Sequence, residues 1–240
     1  MKRQNMIELL NLNYNEYVQL IGTAHFTRRS INDAYEAVKS LKPIDVALEL
    51  DLRRYINLNA ACTGCPRNVS CKGLCEFTGA TDALGNVDAN IWLIDMNTLE
   101  MRQRIRGGAT PYEKPRIGEA VRLNPDKDPI QLWEMGYKKE VVDYSEKQMD
   151  ALRSIHPTIP RVLIDERNAL MAARLAWITS KNLSEEKKPK ILAFIGAAHV
   201  KGIEAQLGNP LLIKEGFRRF NLSFSEPTLI RRVAIREASN

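Results

Sequence analysis

Histidine is scarce, cysteine is confined to one segment, and long apolar runs are missing; each lack removes a class of protein. No stretch approaches the roughly 18 consecutive apolar residues that cross a bilayer. The longest, residues 191–198 and 46–50, are strand-sized. Met1-Lys2-Arg3 is followed by Asn5 and Glu8 rather than by an apolar segment, so no signal peptide is expected and the reading is a soluble cytoplasmic protein. No cysteine lies outside Cys62 to Cys75, which excludes the scattered disulfides of a secreted fold. No basic run is interleaved with aromatics. The net charge of +6 invites a nucleic-acid or anionic-membrane reading. A solvated surface with a mild cationic excess accounts for it better, and the densest cluster (Arg218, Arg219, Arg231, Arg232, Arg236) lies where it can face solvent. Nucleic acid is therefore the minor reading.

What is present is ordinary for a globular chain: 240 residues, 44% apolar and 27% charged. That length suits one large α/β domain, with two small ones as the lesser reading, and it buries a core without disulfides. Residues 17–22 are an apolar run ending in Gly22, the pattern of a buried strand. Ser30-Ile-Asn-Asp33 reads as a variant capping box opening a helix whose apolar face is Ile31, Ala34, Ala37, Val38 and Leu41, and Pro43 ends it. Residues 44–50 form a second strand and 51–60 a helix. Residues 61–143 hold the cysteines, a strand at 90–95, a helix to about Arg106 and a Gly- and Pro-rich loop at 107–115. The remainder reads as helix from Ser145 to about Ser180, broken at Pro157 and Pro160, then a buried strand at 190–196, a helix from His199 to Leu207, and apolar segments at 211–217 and 229–233. Strands alternating with helices predict an α/β fold with a mainly parallel central sheet flanked by helices. No repeat of fixed period is present.

There is one local echo. Gln19-Leu-Ile-Gly-Thr-Ala-His25 matches Ala193-Phe-Ile-Gly-Ala-Ala-His199: a buried strand, a Gly, two small residues and a His. In a parallel sheet the carboxyl ends of neighbouring strands line the ligand crevice, so both imidazoles are expected there. The small residues around Gly22 and Gly196 let a substrate or ion approach the backbone, and neutral imidazole is the commonest metal ligand. A lone His is more often structural than functional. Here two of only three share one context, and the functional reading prevails. Glu49 ends an apolar strand, where a carboxyl group is costly unless paired or ligating. It could bond Arg54, one helical turn on, which could equally bind an anionic substrate group. Asp95, ending another strand, reads as a cap, and Asp165-Glu-Arg-Asn168 as a solvated helix start.

These residues carry a resemblance. Gly22-Thr-Ala-His25 followed by Ser30, then Lys42-Pro-Ile-Asp-Val-Ala-Leu-Glu-Leu-Asp51 with Arg54, resembles the TraB family. So do Asp165-Glu-Arg-Asn168 followed by Met171-Ala172, and Gly196-Ala-Ala-His-Val-Lys-Gly-Ile203. This is the family of the pheromone-shutdown proteins TraB and PrgY, related to the TIKI proteases, and order and spacing match from about residue 17 to 206. The resemblance implies an α/β fold like that of the erythromycin-esterase (EreA) and ChaN relatives. It also implies a divalent-metal-dependent peptidase site in which His25, His199 and Glu49 hold the ion, supported by Arg54 and Glu166. Ala198 departs from the pattern, standing where many relatives have Gly. The C-terminal membrane helices of many bacterial relatives are absent from these residues, so a membrane-bound role is not expected.

The cysteines lie outside the usual family pattern. Cys62, Cys65, Cys71 and Cys75 are spaced C-x2-C-x5-C-x3-C within an expected insertion at 61–79. Four thiolates so close can converge on one Zn or one iron–sulfur cluster, with two disulfides as the alternative. Gly64, Pro66 and Gly73 supply the bends, and the uneven spacing leans toward iron–sulfur. The sequence thus predicts a single domain over 1–240, a metal-dependent, TraB-like hydrolase acting on a peptide or amide bond. A metal-bound water would be the nucleophile, Arg54 would steady a substrate carboxylate or the developing charge, and Glu166 would act as general base. The alternative is a non-catalytic peptide- or anion-binding regulatory protein whose cysteines sense metal or redox state. A third reading, an iron–sulfur redox protein, requires the cysteines near the histidines.

Overall fold

The computed structural model describes residues 12–24, 27–62, 80, 83, 89–114 and 128–230, with only the backbone described at 59–62. Its centre is a five-stranded sheet built from β1 (Val18–Thr23), β2 (Asp45–Leu48), β3 (Asn90–Leu93), β4 (Ile191–Gly196) and β5 (Thr228–Ile230), in the order β1-β4-β2-β3-β5. The first four run parallel, and β5 lies antiparallel on β3. β4 is an interior strand, pairing with β1 from Val18↔Ile191 to Thr23↔Gly196 and with β2 from Asp45↔Ile191 to Leu48↔Phe194. Every residue of β4 is buried, which is why its sequence is continuously apolar rather than alternating.

Alternation along the strands supplies two separate core layers. Ala47, Trp92, Ile191, Ala193 and Ile195 pack under the helix α6 (Arg167–Ser184), through Met171, Ala172, Leu175 and Ile178. Val46, Leu48, Ile91, Leu93, Leu192 and Phe194 pack against Ala34 and Val38 of α1 (Arg28–Leu41) on the other face. Phe194 is fully enclosed, and truncating such a side chain to Ala costs about 3–5 kcal/mol. The remaining helices are α2 (Leu52–Cys62), α3 (Thr98–Gly108), α4 (Pro129–Met135), α5 (Lys138–Ile155), α7 (Val200–Gly208) and α8 (Pro210–Phe220). The predicted α/β class and mainly parallel sheet are present.

Several boundaries differ from expectation. Helix α1 is capped not by Ser30 but by Thr27, whose hydroxyl accepts from the Ser30 amide; Ser30 lies inside the first turn. The long helical zone has one break rather than two. Helix α5 stops at Ile155, His156 leaves helical geometry, and the next helix starts at Thr158 and runs on to Ser184. Pro160 falls in that first turn, where the missing N–H is not needed. Within this helix, Arg161–Glu166 is wound as a π-helix, a form that tends to occur near functional sites. The 211–217 segment is part of α8. Cys65, Cys71, Cys75 and the cysteine-bearing insertion lie outside the described residues, as does the Cys62 side chain. Among the described residues no helix is long and apolar enough to cross a membrane.

Candidate functional site

The carboxyl ends of β1, β2, β3 and β4 come together, and the chain just beyond each is polar. Glu49 continues β2: its amide donates to the Phe194 carbonyl at 3.1 Å. One carboxylate oxygen accepts from the Gly196 amide at 2.5 Å, and the other is held by Nη2 of Arg167. Asp95, beyond β3, takes a bidentate pair from Arg167, Nε to Oδ1 at 2.9 Å and Nη2 to Oδ2 at 2.7 Å. Its Oδ2 also meets Arg54 Nη2, and its Oδ1 accepts from the Met96 amide at 2.7 Å. Arg167 finishes its donations with Nη1 to the Leu163 carbonyl, 3.0 Å, and to His199 Nε2, 3.1 Å.

One guanidinium thus ties together two strand-end carboxylates and the histidine of the second Gly-x-x-His motif. All four residues are at least nine-tenths buried: Glu49 is 3% exposed, Asp95 4%, Arg167 8% and His199 4%. A guanidinium can only donate, so His199 Nε2 accepts and the ring proton sits on Nδ1. That proton is donated to Asn168 Oδ1 at 2.6 Å. His199 Nε2 and Glu49 Oε1 lie 3.6 Å apart.

The surroundings fix this cluster. Burial alone would raise the Asp95 pKa, but Arg167 and Arg54 outweigh it and hold the carboxyl well below the usual range. Burial likewise opposes the charge on Arg167, and Asp95 and Glu49 overturn that, raising its pKa. Arg54 also pairs with Asp51, whose carboxylate accepts from the Arg54 amide at 2.9 Å and the Thr98 amide at 3.0 Å. Asp51 therefore caps α2 and α3 together; burial works against its ionisation, but these bonds bring its pKa down. Among the described residues Arg174 pairs with no carboxylate: it donates to the carbonyls of Ile94, 3.1 Å, and Asp95, 2.5 Å, and burial lowers its pKa.

On the first motif, Thr23 donates to the Ile195 carbonyl at 3.3 Å, and the Thr27 and Ser30 hydroxyls both donate to the Ala24 carbonyl, at 2.8 and 3.0 Å. Gly22 sits at a close approach: a Cβ there would stand 3.0 Å from Val200 Cγ2, which would have to give way. His25 itself lies outside the described residues.

Of the expected site residues, Glu49 and His199 meet, Gly196 donates to Glu49, and Arg54 reaches the cluster through Asp95 rather than Glu49. Glu166 lies elsewhere. It is buried on the π-helical turns, 3.3 Å from Arg104 Nη1 and 3.2 Å from Arg161 Nε, with its pKa raised by burial. The residues least anticipated are Arg167, Asn168 and Asp95. Of the block read as a solvated helix start, only Asp165 faces outward, paired with Arg153 at 2.7 Å; Glu166, Arg167 and Asn168 are buried. The signal that could have found them is three polar residues directly abutting a continuous apolar run, Ala169 to Ala172.

The fit to a divalent ion can be tested on this geometry. Among the described residues no three His, Cys, Asp or Glu side chains converge as a metal site. Glu49 and His199 offer two donors, but the Arg167 guanidinium already engages the facing atom of each. The third residue of the expected set, His25, lies outside the described residues. A cavity of about 330 Å³ opens at the opposite, amino ends of β1 and β4, beside Glu16, Tyr17, Leu41, Pro43 and Lys190; it holds no comparable grouping.

The comparisons with known proteins name no activity. No family model matches the chain, and no solved structure matches it. An uncharacterized protein of Methanocaldococcus jannaschii is 29% identical over 217 aligned residues, covering 78% of this chain and 52% of the relative. The chain therefore spans about half the length of the curated relative it matches.

Proposed function

We propose that this chain is a TraB-like hydrolase of the EreA/ChaN-like architecture, acting on a peptide or amide bond at the carboxyl ends of its parallel strands. The observation that carries the reading is the Glu49–Arg167–His199 junction: a neutral imidazole with its acceptor nitrogen turned to a carboxylate and a guanidinium, in the fold's ligand crevice. A carbonyl oxygen of the substrate takes over an Arg167 N–H, so that the guanidinium steadies the developing oxyanion. His199 Nε2, released from that N–H, accepts a proton from the attacking water. Asp95 and Arg54 keep Arg167 in place. In the same reading Cys62, Cys65, Cys71 and Cys75 form an inserted knuckle holding Zn or an iron–sulfur cluster.

The test is mass-spectrometric screening of a peptide and amide library, with elemental analysis of the same anaerobically purified samples. His199→Ala and Glu49→Gln should each lower the hydrolysis rate by about 10²-fold or more while metal content stays at the wild-type level. Replacing the four cysteines by Ser should remove the metal. Hydrolysis unaffected by both site variants overturns the reading. Metal lost on His199→Ala would restore the ion-dependent form that the TraB resemblance implies. The burial of Glu49 and His199 favours a second reading, a protein that binds a peptide or anion without turnover. It predicts retention of library members on the immobilised protein with no cleaved product.

A further inference from the structure

We infer that Asn168 and Gly202 are positioning residues for His199: together they form the seat that keeps its proton on Nδ1 and turns Nε2 toward Glu49 and Arg167. The inference rests on the site described above and adds to it how the imidazole is oriented. Asn168 stands one position after Arg167 at the start of α6, and its Oδ1 lies 2.6 Å from His199 Nδ1. Its amide projects toward α7, where the second motif continues as Val200-Lys201-Gly202.

Gly202 is what gives that amide room. A Cβ at position 202 would stand 2.2 Å from Asn168 Nδ2 and 3.2 Å from Cγ. Gly202 lies inside α7, where glycine is disfavoured relative to Ala. Helix propensity therefore argues against Gly here, and the space taken by Asn168 argues for it. The Asn168 side chain is too short to retreat from a methyl group without its Oδ1 leaving Nδ1. Because Arg167 and Asn168 are consecutive, the turn of helix that delivers a donor to Nε2 also delivers the acceptor to Nδ1, and Gly202 lets that turn close on the ring.

The experiment is ¹⁵N–¹H spectroscopy of the intact chain labelled in its histidine rings. There are only three histidines, and a His199→Gln sample assigns the signal. In the wild type His199 should show a protonated, exchange-protected Nδ1 and an unprotonated Nε2. Asn168→Leu and Gly202→Ala should each cut the Nδ1–H protection by about tenfold, the factor that one lost hydrogen bond yields. Asn168→Asp, which keeps an acceptor oxygen, should preserve it. A wild-type His199 protonated on Nε2 overturns the inference, as does protection equal in the Asn168→Leu and Asn168→Asp proteins. If Gly202→Ala fails to fold, the two Asn168 variants decide alone. The readout is the imidazole itself, so an inactive chain with a protected Nδ1–H would retire the hydrolase reading and leave this one standing.

Discussion

The two ends of β2 carry buried acidic residues on the same face of the sheet, four positions apart, and they are satisfied in opposite ways. At the amino end Asp45 is 1% exposed and, among the described residues, its hydrogen-bond donors are neutral: Trp92 Nε1 at 2.6 Å, Asn90 Nδ2 at 3.1 Å and Asn182 Nδ2 at 2.6 Å. At the carboxyl end Glu49 faces a guanidinium, an imidazole and one backbone amide. Amides and an indole pin a strand end and have no proton to move. A guanidinium and an imidazole bring charge and a titratable nitrogen, which chemistry requires. Burial is the same at the two ends, and what differs is the partner.

The most severe way to break the comparison is to remove the cation. Arg167→Met would leave Glu49 and Asp95 buried beside one another without their shared partner. Breaking a buried ion pair from one side costs about 3–5 kcal/mol, and urea denaturation at neutral pH should show a loss of that size. A loss below about 1 kcal/mol would mean that the cluster is open to water.

A matched pair of isosteric changes sharpens the contrast. In Glu49→Gln the new NH₂ must face either the Gly196 amide or Arg167, donor against donor in both orientations, for about 2–3 kcal/mol. In Asp45→Asn the retained oxygen can keep Trp92 and Asn90, while Asn182 reverses its own amide to accept, for under about 1 kcal/mol. Equal losses in the two variants would erase the distinction between the ends.

Acid is a milder probe. Asp95 and Asp51 have lowered pKa values, and Glu113, with hydrogen bonds from Thr110 and Thr158 outweighing its burial, is brought down to about 2. Depressed carboxyl pKa values contribute stability that is fully present above the unfolded values near 4 and is lost as pH falls through the folded ones. The urea midpoint should therefore fall from pH 5 toward pH 2. The gap between wild type and Glu113→Gln should narrow over the same range; a constant gap would contradict the assignment.

Much of this was legible in the chain, for identifiable reasons. The continuous apolar run ending in Gly196 marked β4, because a strand covered on both faces has no polar alternation to preserve; β1, at the sheet edge, carries an exposed Gln19 within its run. Glu49 and His199 stood out as polar groups directly beyond such runs. Arg167 and Asn168 did not, since a polar block at a helix start normally faces water. The π-helical winding of Arg161–Glu166 and the break at His156 lead into that block, and neither leaves a periodicity to read. Asp95 looked like a cap and does accept a backbone amide, but its other bonds come from arginines 72 and 41 positions away.

The smallest effect concerns Arg54, whose side chain is one-third exposed. It reaches Asp95 and Asp51 from the rim, but Asp95 already has the bidentate pair from Arg167, and Asp51 keeps the amides of Arg54 and Thr98. Arg54→Met leaves no buried carboxylate without a donor. The loss should be that of a partly exposed pair, about 0.2–1 kcal/mol, and should shrink further in high salt. If Arg54 instead positions Arg167 through Asp95, the same variant should lower hydrolysis by more than its stability loss accounts for. Measuring both on one protein separates a brace from a surface charge. A variant unchanged in both would confine the working cluster to the four buried residues behind it.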